Sequence, residues 1–174
     1  MITPALMVTP SIAEWSTLLS VEAETAATLT GLVFVGVSIN LDRIMEYPGL
    51  SGRAAESILQ FLEVFLISMM ALIPGQPERA LAIELLGTGV LFWVLQITVQ
   101  VGYLRLRAGH PLWWFVLRAA LSQCATVPFW VAGIALLAGL PGALYWLMPG
   151  FVFSFAAGIV GAWVLLVEVR RRLR

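Results

Sequence analysis

The chain has 174 residues, 60% of them apolar and only 11% charged, with ten basic and ten acidic side chains balancing to a formal charge of zero. Soluble domains carry about a quarter charged residues, so this composition, with a mean hydropathy of +0.94, excludes an ordinary soluble globule and points to an integral membrane protein. All ten basic residues are arginine, a usage that fits a GC-rich bacterial genome, and nothing in their spacing forms the basic footprint of a nucleic-acid-binding protein.

The first residues hold no Lys or Arg, and Glu14, Glu22 and Glu24 follow. A secretory signal needs a basic start and a small-residue cleavage site, so no cleavage is expected and the first apolar span should remain. Residues 25–41 are a charge-free run of seventeen, bounded by Glu24 and by Asp42-Arg43. At 100° per residue, Glu24, Thr28, Gly31, Val35, Ser38 and Asp42 fall within about 40° of one line. Such a stripe is built for protein or water more than for lipid. It reads either as helix packing inside the bundle or as the lining of a pore made by several copies, with Glu22, Glu24 and Glu84 as an acidic outer mouth.

A bilayer core of about 30 Å needs roughly 20 apolar residues per helix, and five segments qualify: residues 16–46, 54–73, 81–104, 112–138 and 143–169. The first should end at Tyr47-Pro48-Gly49, because proline disfavours helix at the residue before it. Ser51 offers an N-cap for the second, and Pro74-Gly75-Gln76-Pro77 ends it. Pro128 should kink the fourth. Gly139-Leu140-Pro141-Gly142 turns the chain into the fifth, which carries Pro149 in its first turns. Cys124 lies in an apolar run and is expected in the core, with no disulfide available to it.

Nine of the ten arginines fall on one side of this alternation and only Arg79 on the other. Because arginine-rich connections stay in the cytoplasm, the N-terminus should be outside and the C-terminus inside. Trp15, Tyr145 and Trp146 then mark the outer interface, and Tyr47, Tyr103, Trp113, Trp114 and Trp163 the inner one. The outer side carries a net charge of minus four and the inner side plus four. Acids outside would attract cations, or are simply left where arginine is disfavoured.

Glu63 is the most expensive residue. If the second helix enters the apolar layer near residue 55, its carboxylate lies about 12 Å inside, where it must face a partner or a water-filled cavity, or hold its proton. Depths of about 7 Å for Arg118, 15 Å for Gln123 and 10 Å for Gln96 follow from the same rise per residue. Gln60, Glu63, Gln96, Arg118 and Gln123 are therefore expected to form one intramembrane polar cluster, with Glu63 paired to Arg118. Ser38, Asn40, Gln100 and Ser122 lie in the same half. This cluster either fixes helix register or marks a proton, ion or substrate path.

Gly150, Ser154, Gly158 and Ala162 recur every four residues, the small-residue pattern that lets two helix backbones approach closely, inside the bundle or across a subunit boundary. Ala23, Ala27 and Gly31 offer a matching surface. No enzyme signature is present: the lone His110 precedes Pro111 without a second histidine to build a metal pair, and Gly87-Thr88-Gly89 lacks the strand and third glycine of a dinucleotide loop. No cofactor or metal is implied.

Residues 30–44, TGLVFVGVSINLDRI, with Tyr47-Pro48-Gly49-Leu50 and Arg53-Ala54, resemble a family of small, uncharacterised multi-pass bacterial membrane proteins. The resemblance covers the first third of the chain and implies a setting without an activity. The expectation is an all-α, single-domain integral membrane bundle of five transmembrane helices, N-out and C-in, in the bacterial inner membrane. Its partners are the lipid bilayer and further copies of itself, and it is not an enzyme. Two functions are expected as alternatives: a small oligomeric channel conducting cations or protons, with helix 1 as its lining, or a non-transporting accessory, assembly or regulatory subunit whose arginine tail meets anionic lipid or a partner.

Overall fold

An apolar layer offers backbone groups no water to bond, so long apolar segments close their own hydrogen bonds as helices. The computed structural model describes residues 12–46, 49–105 and 112–171, and all regular structure among them is helical. After a short 3-10 turn (Ile12–Trp15), the helices are α1 (Ser16–Ile39), α2 (Leu41–Glu46), α3 (Leu50–Ala71), α4 (Glu78–Arg105) and α5 (Leu112–Leu137). A second 3-10 turn (Ala143–Trp146) leads into α6 (Leu147–Arg171). Five of these segments are long and apolar enough to cross a membrane: Ser16–Ile39, Leu50–Ala71, Glu78–Gly102, Phe115–Leu137 and Ala143–Glu168. The five expected spans are thus present as helices. Tyr47, Pro48, His110 and the end of the arginine tail lie outside the described residues.

Two boundaries differ from expectation for local reasons. The first helix does not run unbroken to Glu46. It stops at Asn40, whose side-chain Nδ2 donates to the Gly36 carbonyl at 2.8 Å while its backbone leaves helical geometry at φ −111°, so an amide competes with the helix it sits in. The third helix starts at Leu50 and not after Ser51, because Gly49 adopts φ 97°, a conformation open to glycine without strain. Pro128 sits within α5, and Pro149 falls in the first turn of α6, where a missing N–H costs no helical bond.

Helices α3, α4, α5 and α6 form a ring in which α3 and α5 each touch α4 and α6 and stand on the diagonal. Helix α1 lies outside the ring, packed along α3 and only lightly against α6. Its buried side is Leu19, Ala23 and Ala26. At one end, called here the arginine end, Ile44 of α2 packs with Leu50, Ala54 and Leu165. At the other, acidic end, Trp15 meets Tyr145 edge-on with ring centroids 5.1 Å apart.

Small residues set the helix spacing. A Cβ on Gly150 would lie 2.4 Å from the Phe129 ring, and one on Gly158 would lie 2.5 Å from the Phe61 ring. Both rings are fully buried and have nowhere to retreat. The face of Gly150, Ser154 and Gly158 therefore packs inside the chain, against α5 and α3, with no subunit boundary needed to explain it. Ala27 and Gly31 do not meet it, for both are exposed and nothing lies within 4 Å of a Cβ at Gly31; Ala162, the fourth residue of the repeat, instead lines a crevice shared with Val33 and Gly36 of α1. Cys124 also departs from expectation: it is exposed on the outer side of α5, because Ser122, Ala125 and Thr126 occupy the inward positions. Gly158→Val should overpack the α3–α6 contact by about 1–3 kcal/mol. Thermal unfolding in detergent should show a lower midpoint than for Ala156→Val, an exposed α6 position.

Candidate functional site

Glu56, Gln60 and Glu63 on α3, Gln96 and Gln100 on α4, and Arg118, Ser122 and Thr126 on α5 recur at three- and four-residue steps. Each set therefore lies along one face of its helix. The ring turns all three faces inward. Glu63 is 0% exposed, and Gln60, Gln96, Ser122 and Thr126 are each under 5%. Although α3 and α5 face each other across the diagonal, their long polar side chains span the gap.

Gln96 is the hub. Its Oε1 accepts from Gln60 Nε2 at 2.9 Å and from the Ser122 hydroxyl. Its Nε2 donates to Glu63 Oε2 and to Thr126 Oγ1, both at 3.2 Å. Gln60 Nε2 also donates to Ser122 Oγ at 3.3 Å, and the Thr126 hydroxyl donates to Glu63 Oε2 at 3.1 Å. The donors therefore point one way, from Gln60 through Ser122, Gln96 and Thr126 to a single carboxylate oxygen. Glu63 Oε2 takes two donors while Oε1 takes none, and Gln60 Oε1, one turn away, is likewise buried without a protein partner.

Glu63 is not paired with Arg118. Glu56 is, accepting from the guanidinium Nε through Oε2. The reason is register: α3 and α5 run in the same direction, and the first polar residue of each face, Glu56 and Arg118, meet at the arginine end. Two turns further in, Glu63 meets Thr126. A cavity of about 130 Å³ adjoins this end of the ladder, lined by Arg53, Glu56, Ser57, Gln60, Arg118 and Ser122 together with apolar residues of α5 and α6. Toward the acidic end the ring is filled by Val64, Ile67, Leu85, Phe129, Leu147 and Phe151, each at most 1% exposed. The polar ladder thus approaches the interior from one end only and stops at Glu63.

The remaining expected residues are placed elsewhere. Gln123 belongs to a separate contact, accepting from Trp93 Nε1 at 2.8 Å. Glu24, Thr28, Gly31, Val35 and Ser38 are exposed along the outside of α1, and Asp42, also exposed, lies beyond the break in α2, so their stripe does not pack within the chain. Its hydroxyls bond their own helix, Thr28 to the Glu24 carbonyl and Ser38 to that of Phe34, each at 2.8 Å. Glu22 is half-buried, and Glu84 accepts from Gln76 Nε2 at 2.5 Å. Among the described residues no three His, Cys, Asp or Glu side chains converge as a metal site. Thr126 and the pairing role of Glu56 were not singled out from the sequence. The signal was there in the four-residue step from Ser122 to Thr126 and the seven-residue step from Glu56 to Glu63.

Glu63→Leu should leave the Gln96 amide and the Thr126 hydroxyl without their acceptor, at a cost of about 2 kcal/mol or more. Glu63→Gln keeps an acceptor oxygen there and should melt close to the parent in detergent. Arg118→Gln should strand the Glu56 carboxylate at about 3 kcal/mol. A double-mutant cycle with Glu56→Gln should recover more than half of that loss, since the neutral pair has no charge to strand. Comparison of the chain with protein families, with curated proteins and with solved structures finds no match, so the functional argument rests on the ladder itself.

Proposed function

We propose that this chain is an ion- or proton-translocating membrane protein in which Glu63 is the carboxylate that takes up the transported charge. The observation that carries the reading is the construction around Glu63: a fully buried carboxyl with one oxygen fixed by two donors and the other free of protein partners. An ionisable group in an apolar layer is costly and is characteristically tied to a proton or ion path. Oε1 of Glu63, with Oε1 of Gln60 beside it on the same helix face, supplies acceptors only, which suits a proton or a bare monovalent cation.

The arginine end of the ring is its cytoplasmic end in this reading, since the sequence assigns nine of its ten arginines to that side. The chain is then a multi-pass protein of the bacterial inner membrane, N-out and C-in. Access to Glu63 runs from the cavity at Glu56 and Arg118, past Gln60 and Ser122. The packed phenylalanines and aliphatic residues beyond Val64 close the outer half, so translocation proceeds by a change between two arrangements of the ring and not through a standing pore.

The exposed stripe of α1 faces away from this site. A pore along α1 needs several copies around an axis, with Glu24 and Asp42 at its two mouths, and is a route separate from Glu63. The same exposure also favours the second reading, an accessory or assembly subunit that docks through α1, because its apolar residues Leu32, Phe34, Val35 and Ile39 are all more than half exposed.

Purified protein in liposomes, assayed for proton and monovalent-cation flux, separates these readings. Glu63→Gln should be recovered in the same yield as the parent and lose flux. Parent flux equal to that of empty vesicles, or unchanged flux in Glu63→Gln, overturns the translocation reading. An oligomer by native mass spectrometry without flux then favours the assembly subunit.

A further inference from the structure

The cavity at the arginine end has a second character that access to Glu63 does not require. Its charged lining is Arg53, Arg118 and Glu56, an excess of one positive charge. Arg118 is committed to Glu56, whereas Arg53 makes no ion pair with any described acid and is half-buried on the first turn of α3. Ser57, Gln60 and Ser122 add neutral polar groups beside the two guanidinium groups. Opposite them the lining is Leu117, Leu121, Ala157, Val160 and Val164. Leu117 and Val160 are 56% and 54% exposed on the outer surface of α5 and α6, so the mouth lies on the apolar flank of the bundle between those two helices.

The passage of an ion toward Glu63 does not require an apolar side mouth, and a neutral lipid has no use for the excess positive charge of the lining. We infer that this crevice binds an anionic amphiphile of the surrounding leaflet, with its phosphate at Arg53, beside the Arg118–Glu56 pair, and an acyl chain leaving past Leu117 and Val160. Guanidinium groups bind phosphate through paired, charge-assisted hydrogen bonds, which lysine reproduces less well. The bound headgroup sits at the start of the polar ladder, over Gln60 and Ser122. The inference goes beyond the transport reading and stands without it, because binding is measured with no flux.

The test is native mass spectrometry of the full chain in detergent, titrated with phosphatidylglycerol, with phosphatidylcholine of the same acyl length, or with inorganic phosphate. Phosphatidylglycerol should form adducts at concentrations about tenfold lower than phosphatidylcholine, and Arg53→Gln should remove most of that preference. Arg53→Lys should retain part of it. Val160→Phe, which narrows the mouth without touching a charge, should weaken phosphatidylglycerol binding while Glu63→Gln leaves it unchanged. Equal binding of the two lipids, or an undiminished preference in both Arg53→Gln and Val160→Phe, overturns the inference. Displacement of phosphatidylglycerol by millimolar inorganic phosphate also overturns it, by showing an anion site in which the acyl chain has no part.

Discussion

A side-chain amide has two acceptor and two donor positions to fill, and in an apolar bundle no water stands ready to fill them. Gln96 fills all four from two other helices, with Gln60 and Glu63 on α3 and Ser122 and Thr126 on α5. The ring depends on this arrangement. Its two diagonal helices reach one another both directly, at Gln60–Ser122, Thr126–Glu63 and Arg118–Glu56, and through Gln96 of the helix between them, and sliding either by one position would strand several buried groups at once. Individual polar contacts between membrane helices average only about 0.6 kcal/mol, so the ladder contributes more to register than to net stability.

Glycine and phenylalanine perform the complementary task. With no difference in apolarity between lipid tails and side chains, helix contact in a membrane rests on close van der Waals fit. The Phe129 ring over Gly150 and the Phe61 ring over Gly158 supply that fit for α6. The ring is divided as a result: polar and creviced toward the arginine end, mostly apolar toward the acidic end, where Ser68 and Thr88 are isolated buried hydroxyls. That division shapes both functional proposals. Charge can approach Glu63 from one side, and an amphiphile can enter the same end from the flank.

Helix α1 contributes little to this interior. It covers α3 with Leu19, Ala23 and Ala26 and leaves most of its remaining surface open. The Thr28 and Ser38 hydroxyls of the stripe are satisfied by carbonyls of their own helix, so between Glu24 and Asp42 the stripe asks for no polar partner. Its middle, satisfied locally, can meet lipid or another copy equally well, with the two carboxylates left at its ends. The polarity of a wheel projection therefore said less about direction than the absence of small-residue contacts did.

Much was legible in the sequence, and for a definite reason. Five helices follow from the lengths of the apolar runs, because a backbone in an apolar layer has no alternative to satisfying itself. The inward position of Gln60, Glu63 and Gln96 follows from the cost of leaving such groups in lipid. The close-packing face of α6 follows from its four-residue repeat of small side chains. Tertiary structure decided the partners. Depth along the membrane normal suggested Glu63 with Arg118, yet the relative register of α3 and α5 gives Arg118 to Glu56 and Thr126 to Glu63, since each is the residue at its own level on the facing helix. The direction of the α1 stripe, the outward turn of Cys124 and the crevice between α5 and α6 were likewise settled only by assembly. A helix's periodicity fixes which residues share a face, but the packing of the other helices determines where that face points.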